Sequence, residues 1–343
     1  MVLFGTLTNA KLDVDQGSTD LQIEAIIKKN DILGDKKVVT LPRYVPSDKT
    51  TTKFLVFCDV FKGKIDPYRG FQVKADSDIV KYLQGALAVK DKDVSTRLRF
   101  FFDYLDNADL EIANDAYKEF GNADYKDYRD MAKNLPPDKI ATWLQDPATP
   151  PYRLGPYASL LGDCGTAKHA ELLRKLLDDS QKQASTGVDG MLAGYVMLQP
   201  KEGWAYLRAI LKDPKKEFML RYASLRAVRF LWTSRPDLVP EKDLEAAVVD
   251  LIDQSDIADL AIEDLRLHQC WDVADHVFSL YGKKSHDIPI VRRYILRYAL
   301  NCPGPEAAKF VAGLRKKDPE MVKDIEEFLR LENPAQPAAK KTS

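Results

Sequence analysis

Apolar positions recur in two different rhythms along the chain. From Val2 to Val73 they alternate with a period close to two, in short β-branched or aromatic segments separated by turn residues, which predicts strands. Four segments stand out: Val2 to Leu7, Leu21 to Ile27, Val38 to Leu41 and Phe54 to Val60. The breaks carry Gln16-Gly17-Ser18, Leu33-Gly34-Asp35, Val45-Pro46-Ser47 and Lys62-Gly63-Lys64. After Asp76 apolar residues return every three or four positions, the spacing of one helix face. Ile79, Val80, Tyr82, Leu83 and Leu87 predict a short amphipathic helix, and the charged Lys90-Asp91-Lys92-Asp93 follows as a hinge. The expected organisation is a small antiparallel β-barrel over 1–75, a connecting helix and hinge over 76–92, and a helical array over 93–332.

The array is periodic. Helical segments end in a leucine followed by an acidic or polar stop at Leu144, Leu177, Leu211, Leu251, Leu280 and Leu314, with gaps of 33, 34, 40, 29 and 34 residues. A period near 34 is that of a two-helix repeat. The long gap holds Ser234 to Pro240, a loop with two prolines, which repeat arrays tolerate because each unit touches chiefly its neighbours. In the clearest copy helix A runs from Pro151 to Gly165, with Gly165 expected as a left-handed stop, and helix B from Ala167 to Leu177. Helix A recurs at 220–232 and 290–300. Helix B recurs at 204–211, 244–251, 273–280 and 307–314.

These residues resemble HEAT-like repeats. The family pattern, an Asp-Pro turn, an arginine about seven residues on, then Ala, Leu-Gly and a leucine-rich second helix, is matched by Asp146, Pro147, Arg153, Ala158, Leu161, Gly162, Leu172 and Leu173. It is matched again by Asp213, Pro214, Arg221 and Ala223. The resemblance implies an α-solenoid in which Asp and Arg pair along the stack, Asp146 with Arg153 and Asp213 with Arg221. The copies at 187–199 and 256–270 lack the arginine, so that ladder is expected to be interrupted. The strand order of the first 75 residues is similar to the OB-type barrel of netrin-like and metalloproteinase-inhibitor-like domains. In that family an amino-terminal cysteine plugs the target's metal site, and no cysteine precedes Cys58 here. A β-rich opening joined to such an array also looks like exported bacterial proteins of HEAT-like type.

Charge narrows the partners. Lys+Arg 51 against Asp+Glu 52, interspersed, leave no broad basic field for duplex nucleic acid. Within 1–75 the balance is 12 Lys+Arg against 9 Asp+Glu, too even to mark an oligonucleotide face although Tyr44, Tyr68 and Phe71 could stack. Apolar runs such as Phe54 to Cys58 fall short of the roughly 20 residues that a membrane-spanning helix requires. Met1 leads directly into strand-like sequence with no leader, although an export leader removed upstream would leave the same start. Asn333 to Ser343 offers no large apolar residue and is expected to be a disordered tail. The four cysteines, 58, 164, 270 and 302, lack any C-x-x-C pair and are expected to be free, buried thiols.

Candidate chemistry is sparse. His268, Cys270 and His276 mix metal-ligand types, but His268 and Cys270 would lie about 200° apart on a helix, so no metal site is expected. Gly162 to Gly165 fails the nucleophile-elbow pattern, and no G-x-G-x-x-G or Walker sequence occurs. No catalytic residue or cofactor is assigned. Aromatic residues gather in Phe100, Phe101, Phe102, Tyr104, Tyr117, Phe120, Tyr125 and Tyr128. Tyr104, Tyr117, Tyr125 and Tyr128 could contact a partner; alternatively the group buries a domain interface or caps the first repeat. The functional expectation is a monomeric, non-enzymatic scaffold whose concave helix-B surface holds a protein or peptide. A HEAT-like enzyme or accessory of the chromophore-lyase type, or an inhibitor acting through the barrel, is the alternative.

Overall fold

The computed structural model describes residues 1–12, 17–46, 53–74, 76–179 and 186–332. The tail 333–343 and the turn residues Gln16, Ser47 and Ser180 lie outside the described residues. Five strands, β1 (Val2–Leu12), β2 (Gly17–Lys28), β3 (Val38–Leu41), β4 (Lys53–Phe61) and β5 (Lys64–Val73), form one antiparallel sheet in the order β3-β2-β1-β4-β5. Leu3, Leu7, Leu21, Val39, Leu41, Val56 and Cys58 meet in its core, with Leu33 of a short 3₁₀ turn added from the side. The alternation seen in the sequence is therefore the burial pattern of one sheet face.

Two expectations about the sheet change. It has a fifth strand, β5, and it is open: among the described residues no ladder joins the edges β3 and β5, so the barrel is not closed. The 3₁₀ turn Asp31–Leu33 lies beside β5 instead. Lys62-Gly63, read as a break, is a two-residue hairpin turn in which both residues have positive φ, 49° and 71°. That geometry matches the twist of the flanking strands and favours glycine. Beyond it, Pro67 hides β5 from a strand reading. Proline has no N–H for a ladder, and it is accommodated because β5 is an edge and the register shifts at Phe57/Cys58 opposite it.

Sixteen helices follow among the described residues. The first four are α1 (Ile79–Val89), α2 (Val94–Phe102), α3 (Leu110–Gly121) and α4 (Tyr125–Ala132). Asp93 caps α2 by accepting from the Thr96 N–H at 2.9 Å, and Asp109 caps α3 by accepting from the Glu111 N–H at 3.1 Å. The chain divides into two compact units, Met1–Met131 and Ala132 onward. The first takes in α1, α2, α3 and most of α4 with the sheet, so Lys90 to Asp93 lie within it.

The second unit contains no strand among its described residues. Its helices are α5 (Pro137–Gln145), α6 (Pro151–Cys164), α7 (Ala167–Asp178), α8 (Val188–Leu198), α9 (Pro200–Lys212), α10 (Phe218–Ser234), α11 (Glu241–Ile252), α12 (Ala258–Leu267), α13 (Ala274–Ser279), α14 (Pro289–Asn301), α15 (Pro305–Lys317) and α16 (Pro319–Glu332). Alternate helices pack on one another: α6 on α8, α8 on α10, α12 on α14 and α14 on α16 in one set, α5 on α7, α9 on α11 and α13 on α15 in the other. All six leucines of the 34-residue period, Leu144, Leu177, Leu211, Leu251, Leu280 and Leu314, are buried. Gly165 is not left-handed: its φ is −75°, and a Cβ there would stand 2.6 Å from the Leu161 carbonyl oxygen.

In the second unit α6 and α8 approach each other closely. A Cβ added at Gly190 would lie 2.2 Å from the Gly155 oxygen, and one at Gly194 would lie 2.4 Å from the Ala158 oxygen. From the other side, a Cβ at Gly155 or Gly162 would approach the Cα of Gly187 or Gly194 to 2.9 Å. At Gly155 and Gly190 backbone meets backbone, whereas the Met197 side chain also stands against Gly162 and Leu173 against Gly194. By contrast, a Cβ at Gly313 in α15 would meet nothing within 4 Å. Gly194→Ala is therefore expected to cost roughly 1–3 kcal/mol through overpacking, whereas Gly313→Ala gains about 0.5–1 kcal/mol by removing backbone freedom from a helix interior. Urea titration of the two variants side by side reads both signs.

Candidate functional site

The expected Asp–Arg ladder takes a different register. Asp146 and Asp213 each fold back on their own turn, accepting from the N–H of Ala148 at 2.8 Å and of Lys215 at 3.0 Å. Pro147 and Pro214 sit in those turns. Arg153 is buried on α6, with its guanidinium 5.7 Å from the Tyr152 ring centre. Arg221, 3% exposed, reaches forward to Asp256 at 3.0 and 2.5 Å and to Gln254 at 2.8 Å, not to Asp213. Its partner thus stands 35 residues on, at the entry to α12. Arg229 likewise grips both oxygens of Asp264 at 2.9 and 2.8 Å, again 35 residues on. Arg297 binds Glu332, a third pair at that spacing, and shares Glu263 with Arg266 in a mostly buried network. His286 is fully buried and bonds the Ile252 carbonyl at 2.8 Å.

The tyrosines singled out from the sequence are half-buried in the first unit. Tyr104 packs edge-on to Tyr82 at 4.9 Å and beside Phe100 at 5.0 Å, whereas Tyr125 and Tyr128 pack on each other at 5.6 Å and Tyr128 on Phe120 at 5.9 Å. Tyr117 lies on α3. His268 and Cys270 do not share a helix, because α12 ends at Leu267 and Gln269 turns the chain with a φ of 57°. His268 stacks flat on Trp232, ring centres 3.8 Å apart. All four cysteines are free, but only Cys58 is fully buried; burial pushes its thiol up to about 11, and those of Cys164 and Cys270 up to about 12. Among the described residues no group of three His, Cys, Asp or Glu side chains is placed to hold a metal ion, and no helix is long and apolar enough to cross a membrane.

A groove of about 590 Å³ opens between α7, the end of α8 and the start of α9. Helix α7 turns His169, Ala170, Leu173 and Leu177 inward and leaves Glu171, Arg174, Lys175 and Asp178 on its outer side. It is fixed at its start by His169, whose Nδ1 accepts from the Thr166 N–H at 3.0 Å. The proton therefore sits on Nε2, which donates to Asp138 at 3.0 Å. Those outer residues, with Tyr195 and Gln199 of α8 and Glu202 of α9, line the groove. At one side Arg174 lies 4.2 Å over the Tyr206 ring while its Nε donates to both oxygens of Asp178 at 3.1 and 3.0 Å. The Tyr206 hydroxyl sits 3.3 Å from Asp178 and from the Leu177 carbonyl, bridging α9 to α7. Tyr195 meets Tyr206 edge-on at 6.1 Å.

The lining offers charges of both signs, the amide of Gln199 and the largely buried Tyr195. None of Arg174, Tyr195 or Tyr206 was picked out from the sequence, because an arginine and a tyrosine 32 positions apart carry no local motif. Compared with protein-family models, curated proteins and solved structures, the chain matches none of them.

The Arg229–Asp264 pair responds to pH. Burial pushes the Asp264 carboxyl up to about 6 despite Arg229. The unfolded carboxyl ionises near 4, so between pH 4 and 6 the folded chain holds a proton that the unfolded chain has lost. This contribution to stability is full below pH 4 and disappears as pH rises through 6. The stability difference between the wild type and Asp264→Asn should accordingly shift by about 2–3 kcal/mol in favour of the wild type between pH 7 and pH 4. Denaturant titrations of both proteins at several pH values measure it; a constant difference would refute it.

Proposed function

We propose that the second unit is a HEAT-like α-solenoid serving as a binding scaffold, and that a protein or peptide segment docks on its second-helix side, in the groove between α7 and α9. Alternate-helix packing and the three arginine–carboxylate pairs at a 35-residue spacing support the solenoid reading. The observation that carries the binding reading is the groove itself. It joins an ordered Arg174–Asp178–Tyr206 cluster to open volume, and tyrosine and arginine are the residue types that dominate binding hot spots.

Selection of nonapeptides from a random display library against the full chain tests this reading. Selected peptides should lose at least tenfold in affinity on Tyr206→Ala, with hydrogen-exchange protection of α7 and α9 on binding. Peptides whose affinity ignores both Tyr206→Ala and Arg174→Ala would overturn it.

A further inference from the structure

The turn from α13 to α14 carries an apolar tip between two pairs of cationic residues. Ile288 and Ile290 are 38% and 45% exposed, and Pro289 between them is exposed too; Lys283 and Lys284 precede this tip, and Arg292 and Arg293 follow it. The segment is anchored just before the tip. His286 is fully buried and donates from Nε2 to the Ile252 carbonyl at the end of α11, at 2.8 Å. Its Nδ1 accepts from the Ser285 hydroxyl at 2.8 Å, and its own carbonyl accepts from the Ile288 N–H at 2.8 Å.

The charges around the tip do not cancel. Arg292 pairs with Asp287 at 3.2 Å, but Lys283, Lys284 and Arg293 are exposed and make no ion pair among the described residues. Tyr281 brings the next turn alongside. It packs on Phe310 of α15 at 5.6 Å, and it feels Arg292 and Asp287 of its own turn together with Asp318 of the α15–α16 turn. That second turn adds Lys316 and Lys317, exposed and also without an ion pair among the described residues, while Arg315 is matched by Glu326. Of its other acids, Asp318 caps α16 by accepting from the Met321 N–H at 3.1 Å, and Glu320 faces solvent. Free cations therefore outnumber free carboxylates here, in a chain whose net charge is only −1.

We infer that these two turns dock on an anionic lipid surface, with Ile288 and Ile290 entering the boundary between headgroups and acyl chains and Lys283, Lys284 and Arg293 meeting the lipid phosphates. This surface is separate from the groove and does not depend on it. A nucleic acid would engage the cations and leave Ile288, Pro289 and Ile290 in water. A bilayer takes both, because its anionic and apolar layers lie at adjacent depths. The His286 anchor presents the tip already ordered, so docking costs little conformational entropy.

The test is co-sedimentation of the full chain with vesicles of phosphatidylcholine, alone or mixed with phosphatidylserine. Binding should require phosphatidylserine and weaken as salt is raised. Lys283→Gln with Lys284→Gln should lower vesicle affinity roughly tenfold or more, and Ile290→Ser roughly threefold or more, with melting temperatures unchanged. Lys201→Gln with Lys212→Gln removes the same charge from other exposed positions and should leave binding as it was. Absence of binding, equal losses in the two double variants, or indifference to Ile290→Ser overturns the inference. Retention on immobilised polyglutamate with the same dependence on Lys283 and Lys284, and none on vesicles, overturns it in favour of an acidic polypeptide.

Discussion

The backbones of α6 and α8 approach closely at Gly155, Gly162, Gly190 and Gly194, where an added Cβ would run into the facing backbone, and the arrangement of neighbouring helices follows from that closeness. Helix α7 leaves α6 through Gly165 and Thr166, and α9 leaves α8 through Gln199 alone, so both partners are tied by short links. They cannot close up to the same degree, because leucine, arginine and tyrosine side chains stand on their facing surfaces. One side of the pair is therefore shut and the other held apart, with Tyr206 spanning what remains. The groove is the geometric complement of a glycine contact.

Much of the fold was legible because it depends on periodicity. The two-residue alternation of Val2 to Leu7 and the leucine period from Leu144 to Leu314 both report burial, and burial is what the sheet face and the helix pairs require. Strand β5 was not legible, since Pro67 and Gly70 obey the tolerance of an edge and not the habits of a strand. The polar ties were misassigned for a related reason. Asp213 and Arg221 are neighbours in sequence, but a short acidic side chain at a helix stop is drawn to the free N–H groups of its own turn, which leaves the arginine to bind Asp256, 35 residues on.

The candidate site was the least legible feature. Its cation, its ring and its carboxylates come from three helices and acquire meaning only once α7 and α9 are held apart. Conversely, the aromatic density at Phe100 to Tyr128 is conspicuous in sequence, and part of it packs in the first unit, where Tyr82 is buried among Phe100, Phe101 and Tyr104 and donates its hydroxyl to Asp115. Composition alone does not separate a sticky surface from a filled interior.

The network at the end of α16 has a practical bearing on handling the protein. Glu332 is the carboxylate that, with Glu263, balances the nearly buried guanidinium groups of Arg266 and Arg297, while Phe328 lies 4.9 Å from Arg297. Shortening the chain by its final helical turn would strand two cations between α12 and α14 with a single acid to share. Any engineered trimming or fusion junction belongs after Glu332, since cutting before it would unsettle the packing of α12 and α14.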